Sequence, residues 1–366
     1  LYVTGPVHFL NRKHDFLIGA NYDSALEHDG GASISWRNNT ALQGLDIFNP
    51  VISPSIDPTI TTMYREPTTQ GGIYGSARFE LLPTVHLMMG GRLSFFEYKY
   101  KNLSKNTPYV ISQKNSAVPT PYLGLIWNVT PNIAAYVSYT DTFEPQSAYS
   151  LTGRLKPVRG TQLEGGLKGN FFHKKLNVTL SGYHILERNK AIEDADQAPI
   201  CGMSGTSTCY HAAGKVRSQG MEAEVIGRLL PGWDINASYT YNDNIILQDG
   251  GSALQGLHNT PNSPRHLFKL WTHYRFAAPE VARNVWSVGG GVNAQSSTFG
   301  NARAVKQGAY VVASAQVGYQ LRPELNITFN INNISNTKYY QRLGNVNYYN
   351  YYGEPRNFMA TVQSVF

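Results

Sequence analysis

The chain has 366 residues, of which 15% are Asp, Glu, Lys or Arg, with 34 glycines and 24 tyrosines. This composition is too polar for a bundle of membrane helices and too poor in charge for an ordinary soluble surface. The formal net charge of +7 comes from lysines and arginines scattered along the chain, which argues against a nucleic-acid-binding patch.

Fifteen segments alternate apolar and polar residues with a period of two, which predicts β-strands. No apolar run approaches the roughly 20 residues that a membrane helix requires. The predicted strands cover residues 2–10, 14–27, 68–82, 85–101, 117–129, 133–142, 160–172, 175–188, 215–229, 233–245, 264–277, 284–297, 308–321, 325–337 and 353–366.

Short and long joins alternate between these strands. The short joins are 11–13, 83–84, 130–132, 173–174, 230–232, 279–283 and 322–324. The long joins are 28–67, 102–116, 143–159, 189–214, 246–263, 298–307 and 338–352. In an antiparallel sheet consecutive joins lie at opposite ends, so the alternation gathers all long loops at one rim. Outer-membrane β-barrels have this asymmetry, with short periplasmic turns and long extracellular loops.

The two faces of the predicted strands differ in polarity. In residues 325–332, Ile327, Phe329 and Ile331 lie on one side, and asparagines and a threonine lie on the other. Charged residues fall on the polar sides of their strands, as Arg92, Glu164, Lys168, Glu222, Glu224 and Lys269 show. An ionised group facing lipid at mid-membrane depth costs about 2–4 kcal/mol. The apolar faces are therefore predicted to meet lipid, and the polar faces a wet lumen.

The only two cysteines, Cys201 and Cys209, lie in the polar stretch CGMSGTSTC. In an oxidising compartment this spacing favours a small loop disulfide. A metal pair would require further ligands nearby, and His211 alone is available.

The closing strand, 357–366, alternates and carries Phe358 near its start and Phe366 as the last residue. An aromatic residue at the end of a membrane strand suits the lipid boundary. A half-buried strand of a soluble sandwich alternates equally well, so this strand alone leaves both folds open.

Six stretches, in order along the chain, resemble the C-terminal part of the barrel of a TonB-dependent ferric-siderophore receptor. They are GPVHFLNRKHDFLIGANY (5–22), TPNIAAYVSYTDTFEPQS (130–147), LKPVRGTQLEGGLKGNFF (155–172), RSQGMEAEVIGRLLPGWDINASYTYND (217–243), PRHLFKLWTHYRF (264–276) and YYGEPRNFMATVQSVF (351–366).

The resemblance implies an all-β fold, namely an antiparallel transmembrane β-barrel of twenty-two strands filled by an N-terminal plug. The fifteen strands would be the C-terminal ones, so the whole chain, 1–366, is expected to be a partial barrel domain without the plug. Leu1 opens inside a strand pattern, which agrees with a fragment or with a mature product whose beginning is missing. Such a fragment is not expected to transport alone, and it would leave two unpaired strand edges.

Several partners are implied by the same resemblance. The protein is expected in the outer membrane of a Gram-negative bacterium, among outer-membrane lipids. It would take up a ferric siderophore with energy from the TonB–ExbB–ExbD complex, which it would contact through the missing N-terminal part. Phe358 and Phe366 would serve as the signal for the barrel assembly machinery.

Ligand-binding candidates are aromatic and arginine residues at the long-loop rim, because a rigid chelate with apolar linkers suits aromatic surfaces and a few donors. They are Trp36, Phe48, Tyr64, Phe143, Tyr149, Tyr210, Phe299, Arg303, Tyr339, Arg342, Tyr348 and Tyr349. No resident cofactor or metal is expected, because the iron chelate is the cargo. Motifs such as GxSxG and HExxH are missing, so the sequence does not predict an enzyme.

Three alternatives remain open at the level of sequence. A passive porin or sugar channel shares the barrel and the loop asymmetry. A TonB-dependent haem or cobalamin receptor shares the whole architecture. A soluble β-sandwich adhesin shares only the alternation of residues.

Overall fold

The computed structural model describes residues 1–33, 59–194, 200–201, 208–250, 253–276, 285–300, 303–344, 346 and 349–365. Fifteen strands form one antiparallel sheet in which each strand pairs with its neighbours in the chain. None of the described residues forms a helix long and apolar enough to cross a membrane.

The sheet strands follow the chain from one edge of the sheet to the other. They are β1 (Tyr2–Phe9), β2 (Arg12–Ser33), β3 (Thr59–Leu82), β4 (Val85–Asn102), β5 (Val110–Thr130), β6 (Ile133–Glu144), β9 (Val158–Phe171), β10 (Leu176–Glu193), β11 (Tyr210–Leu230), β12 (Trp233–Gln248), β13 (His266–Arg275), β14 (Val285–Gln295), β17 (Tyr310–Arg322), β18 (Leu325–Asn332) and β21 (Asn357–Ser364). Three small hairpins lie in the long connections: β7 (Tyr149–Ser150) with β8 (Gly153–Arg154), β15 (Thr298–Phe299) with β16 (Lys306–Gln307), and β19 (Tyr340–Arg342) with β20 (Tyr351–Tyr352).

The strand count and the consecutive order confirm the prediction of an antiparallel barrel wall. The joins at one end have two to four residues, except 276–284, and those at the other end have seven or more. We call the second end the rim. Among the described residues β1 pairs only with β2, and β21 pairs only with β18. The sheet therefore has two unpaired edges, as the sequence predicted.

Several strands extend further toward the rim than predicted. β2 ends at Ser33 instead of 27, β3 begins at Thr59 instead of 68, and β5 begins at Val110 instead of 117. The predicted 102–116 connection is thereby reduced to 103–109. The backbone hydrogen-bond ladder continues beyond the region where one face is apolar, and there residue alternation gives no signal.

Cross-strand partners in an antiparallel pair point to the same side of the sheet, so the register separates two faces. One row of partners is largely apolar and runs Leu180, Ala223, Tyr239, Phe268, Ala294 and Val311. The neighbouring row is polar and runs Lys168, Thr179, Glu224, Ser238, Lys269 and Asn293. We call these the lipid face and the lumen face. The six charged residues that the sequence assigned to the polar sides all lie on the lumen face: Arg92, Glu164, Lys168, Glu222, Glu224 and Lys269.

The lipid face is exposed rather than packed against a second layer. Ile327 and Phe329 are 40% and 49% exposed, which rules out a sandwich core at this position. The chain exposes 23911 Å², whereas a compact soluble chain of this mass exposes about 14,600 Å². A single curved layer with solvent or lipid on both sides accounts for the excess.

The apolar part of the lipid face has the height of a bilayer core. On β12 it runs from Trp233 near the short turn to Tyr241, and Asp243 is the first charged residue beyond it. From Trp233 to Asp243 is ten residues along the strand, a rise of about 34 Å. At a tilt of about 40° this covers about 26 Å, close to the roughly 25 Å apolar band of outer-membrane barrels.

Candidate functional site

Aromatic residues line the lumen face of β4 near the rim. Phe96, Tyr98 and Tyr100 alternate on the same side as Arg92, and Tyr98 pairs with Thr68 of β3. Period-two spacing in an extended strand places all of them toward the lumen. The upper part of the lumen wall is therefore aromatic at this position.

The β7–β8 hairpin places an arginine against these tyrosines. The Arg154 guanidinium lies 4.5 Å from the ring centroid of Tyr98 and 5.1 Å from that of Tyr149. Its Nε donates to Ser112 Oγ at 2.8 Å and to the Tyr149 hydroxyl at 3.1 Å. Ser112 and Tyr149 share a further hydrogen bond of 2.5 Å. We call Tyr98, Ser112, Tyr149 and Arg154 the tyrosine–arginine cluster.

Gln146 fixes the approach to this hairpin. Its Nε2 donates to the carbonyl of Lys156 at 2.5 Å and to that of Asn189 at 2.6 Å. Its Oε1 accepts the backbone N–H of Ala191 at 2.9 Å. Leu155, next to Arg154 in the chain, is buried, and its backbone N–H donates to the carbonyl of Ala148 at 3.0 Å. These contacts tie the connection between β6 and β9 to β10, so the cluster has a defined place above the lumen.

Two buried polar atoms near the cluster have no hydrogen-bond partner among the described residues. They are Gln113 Nε2 and Asn115 Oδ1 on β5. Gln113 pairs with Tyr98, and Asn115 pairs with Phe96, so both lie on the lumen face. A buried polar atom without a partner is costly unless a further group satisfies it. The site thus combines a cation, aromatic faces, one amide donor and one amide acceptor.

The sequence candidates are distributed over several places. Tyr149 belongs to the cluster, and Tyr64 lies on the lumen face of β3 opposite Asn102. Phe143 pairs with Arg159 on the lipid face of β6, away from the lumen. Three candidates that the sequence placed in long connections lie in strands of the fifteen-stranded sheet instead: Tyr64, Phe143 and Tyr210. All three differ from the prediction for the same reason: the strands of the sheet continue further toward the rim than the sequence indicated.

A second aromatic group lies at the rim between β14 and β21. Tyr339 stacks on Tyr310 with ring centroids 4.4 Å apart, and Arg342 lies 5.9 Å from the ring centroid of Tyr349. Phe299 lies 5.7 Å from the Lys306 ammonium. These predicted residues are near the rim, but no described contact joins them to the tyrosine–arginine cluster.

Other sequence candidates have separate outcomes. Cys201 and Cys209 form a disulfide in which both residues are buried. Phe358 lies on the lipid face of β21, 62% exposed and stacked on Phe329 at 6.1 Å. Trp36, Phe48, Tyr348 and Phe366 lie outside the described residues.

Sequence reasoning missed Tyr98, Ser112, Gln113 and Arg154. The stretch EYKYK at 97–101 contained a usable signal, since Tyr98 and Tyr100 are two residues apart and must share a face. Arg154 gave no such signal, because only the fold of the hairpin brings it to Tyr98.

Charged residues cluster beside the start of β13. The Asp243 carboxylate is 3.3 Å from Arg217, 3.5 Å from Arg265 and 3.6 Å from His258. Arg265 donates to the His258 ring, and Arg303 donates to the His258 carbonyl. Burial, then Arg265, lowers the pKa of His258, against the opposing effect of Asp243. Within the described ranges, no group of three or more His, Cys, Asp or Glu side chains could hold a metal ion.

The family model of the TonB dependent receptor-like beta-barrel matches residues 2–334. The chain belongs to this family. Its fifteen-strand wall is thus part of a barrel in the outer membrane of a Gram-negative bacterium. The family consists of receptors, which agrees with a binding role for the rim.

Known relatives cover the chain from end to end. It is 29% identical to the ferric-pyoverdine M114 receptor PbuA of Pseudomonas sp. (strain M114), over 100% of the chain and 45% of that protein. It is 30% identical to the ferric-pyoverdine 358 receptor of Pseudomonas putida, over 98% of the chain and 42% of that receptor. The chain therefore spans less than half the length of these relatives.

Solved structures agree on the fold. The ferripyoverdine receptor of the outer membrane of Pseudomonas aeruginosa, bound to ferripyoverdine, superposes with a TM-score of 0.77 at 26% identity, over 99% of this chain and 47% of that one. The ferric-catecholate import receptor Fiu of Escherichia coli K12 superposes with a TM-score of 0.78 at 21% identity, over 100% of this chain and 54% of that one. The second likeness concerns the fold alone.

Proposed function

We propose that this chain is the C-terminal wall of a TonB-dependent receptor that takes up a ferric siderophore. The tyrosine–arginine cluster would contact the chelate at the outer mouth of the lumen. Relatives that match essentially the whole chain are named for ferric pyoverdine, so a ferric pyoverdine is the first chelate to test.

The observation that carries the proposal is Arg154 held between the rings of Tyr98 and Tyr149. Two ring contacts and the Nε hydrogen bonds orient the guanidinium, which leaves its remaining N–H groups for an anionic ligand. A charge-assisted hydrogen bond to such a ligand contributes about 1.5–3 kcal/mol. The unpartnered Gln113 Nε2 and Asn115 Oδ1 add a donor and an acceptor on the same face.

The test uses the complete receptor, purified in detergent and titrated with ferric pyoverdine. Arg154→Ala is expected to weaken binding about ten-fold or more, because it removes the oriented cation. Arg159→Ala is the matched control, since Arg159 lies five residues further on and faces lipid. Equal affinities of the wild type and Arg154→Ala for every ferric siderophore bound would contradict the assignment of the site.

Channel conductance separates this proposal from the passive-channel alternative. A receptor with its lumen filled by a plug should bind the chelate and show no open conductance in a planar bilayer. Large, salt-dependent conductance of the complete protein, without chelate binding, would support a porin or sugar channel instead.

The proposal extends to the partners of the complete receptor. Energy would come from the TonB–ExbB–ExbD complex through segments outside this chain, and the barrel assembly machinery would insert the wall using Phe358 and Phe366. No resident cofactor is proposed, since iron enters as the chelated cargo. Phe366→Ser should lower the amount of folded, heat-modifiable receptor in the outer membrane, and unchanged amounts would remove Phe366 from this role.

A further inference from the structure

The lumen face is not uniform in charge across the sheet. Strands β4, β9 and β11 carry charged side chains on it, namely Arg92, Glu164, Lys168, Glu222 and Glu224. On β14, β17, β18 and β21, by contrast, no described lumen-face position between the register shift after Gln320 and the rim is charged. We call the lumen face of these four strands the neutral wall.

The neutral wall is built mainly from amides, hydroxyls and glycines. One row of cross-strand partners runs Gly289, Gln316, Asn330 and Met359, and the next runs Ser287, Gly318, Thr328 and Thr361. The side chains of Gln316, Thr328 and Asn330 have no hydrogen-bond partner among the described residues, and all three are half-buried. Their donors and acceptors are therefore available to another molecule in the lumen.

The charged part of the lumen face, by contrast, satisfies many of its own polar groups. Arg92 donates from Nη1 to Asn21 at 2.7 Å and from Nε to Ser94 at 2.9 Å. The Tyr136 hydroxyl donates to the Glu164 carboxylate at 2.5 Å. A polar molecule moving along this part would compete with these bonds, and fixed charges would hold it strongly.

The neutral wall connects the rim with the short-turn end of the sheet. At the rim, Tyr310 on the lumen face of β17 stacks on Tyr339 of the second aromatic group, with ring centroids 4.4 Å apart. At the short-turn end the wall forms a depression of about 210 Å³, and Ser287, Gln320 and Thr328 are among the residues that line it. The wall thus leads from an aromatic group at the rim to a polar recess at the opposite end.

We propose that the neutral wall lines the path along which the ferric siderophore crosses the lumen, an inference that rests on the proposed function. A transported molecule must bind well enough to enter and weakly enough to leave. Uncharged amides and hydroxyls both donate and accept hydrogen bonds, so they can exchange partners with the polar atoms of a chelate along the whole wall. The path and the tyrosine–arginine cluster lie on different strands, so substitutions can separate passage from binding.

The test compares a charged side chain with its neutral isostere at two matched positions. Thr328 and Thr179 occupy the same place in β18 and β10, counted from Leu325 and Leu176, and both lie on the lumen face. Complete receptors with T328E, T328Q, T179E or T179Q are expressed in cells that lack other pyoverdine receptors. Binding of radioactive ferric pyoverdine is measured in de-energised cells, and its uptake is measured in energised cells.

We expect T328E to slow uptake about ten-fold relative to T328Q, with equal affinity for the chelate, because a fixed charge interrupts a neutral path. T179E and T179Q should take up the chelate equally, since Thr179 lies between Lys168 and Glu224 on the charged part. Heat-modifiability verifies the assembly of every variant.

Equal uptake by T328E and T328Q, or an equal slowing by T179E, would overturn the proposal. Weaker binding or an ionic leak in T328E would also overturn it, because the neutral wall would then be the resting contact of the plug. A wild type that binds no ferric siderophore would instead remove the proposed function itself, and this inference with it.

A second variant keeps the test decisive if T328E fails to assemble. Asn330 lies one row nearer the rim, between Gln316 and Met359, and N330D adds a charge there without changing the size of the side chain. N330D should slow uptake while binding stays unchanged. Uptake by N330D at the wild-type rate would overturn the proposal.

Discussion

The membrane-crossing wall and the rim are stabilised in different ways. Eight hydrophobic residues are buried among the described residues, and only Leu176 lies on the short-turn half of the wall. The others lie toward the rim: Leu155, Ile192, Cys201, Cys209, Val216, Ile246 and Leu343. The rim also holds the disulfide. The wall thus relies on strand pairing and lipid, while the rim has a small core of its own.

This difference follows from the solvent at each level. Lipid accepts apolar side chains on the outer face, so the wall needs no second layer, but it penalises charge strongly. Above the bilayer both faces meet water, and apolar side chains there must bury one another. The two regions should therefore respond differently to substitution. A charged side chain on the lipid face should lower the stability of the wall, and loss of apolar volume should lower the stability of the rim.

The largest effect is expected from Leu180→Arg on the lipid face of β10. Leu180 is 48% exposed and faces the bilayer core, where arginine costs up to about 4 kcal/mol. The neighbouring Thr179→Arg places the same group on the lumen face between Lys168 and Glu224, and it should cost much less. Urea unfolding of the complete receptor in vesicles measures both. Similar losses would mean that the two faces do not differ as described.

Removal of rim core volume should have the next largest effect. Ile192 is 4% exposed and packs against Gly214 and Gly250, so Ile192→Ala should destabilise the rim locally by about 3 kcal/mol. Hydrogen exchange of amides in 190–216 should rise, while exchange of β17 and β18 stays unchanged. Ile327→Ala on the lipid face is the control and should leave the rim unaffected. Unchanged amide hydrogen exchange in residues 190–216 of the Ile192→Ala variant would argue against a separate core at the rim.

The number of strands and the polarity of their two faces could be predicted from the sequence, because both follow from having lipid on one side of the wall and water on the other. Where lipid lies on one side, residues such as Ile327 and Phe329 alternate with asparagine and threonine, and the strand is visible. At the rim end of β5, residues 110–116, the alternation has no apolar side, so the strand was predicted as a loop. Pairing with β4 forms it instead.

The candidate site was less predictable because it depends on the path of one connection. Tyr149 was identified as a rim aromatic, but its partner Arg154 acquires a role only when Gln146 anchors the hairpin. Phe143 illustrates the opposite error. It is aromatic and near the rim, but successive residues of a strand point to opposite faces, and Phe143 lies on the face that points toward lipid.

Loss of the disulfide should weaken the rim somewhat less than the loss of Ile192. Cys201→Ser with Cys209→Ser opens a loop closed over a separation of eight residues, which in the chain-entropy account contributes about 2–3 kcal/mol. Limited proteolysis between β10 and β11 should become faster, and urea unfolding of the wall should not change. A uniform loss of wall stability would show that rim and wall unfold as one unit.

The smallest effect expected is a pH dependence of the connection 249–265. Burial and then Arg265 lower the pKa of His258 below its ordinary value of 6.5. The unfolded loop consequently binds the proton more readily than the folded one, so stability is complete above about pH 6.5 and falls as the pH decreases. Hydrogen exchange of this connection should be faster at pH 5.5 than at pH 7.5 in wild type, after correction for intrinsic rates. His258→Gln should remove most of that difference while Asp243 keeps Arg217 and Arg265, and a difference that persists in the variant would assign the effect to another group.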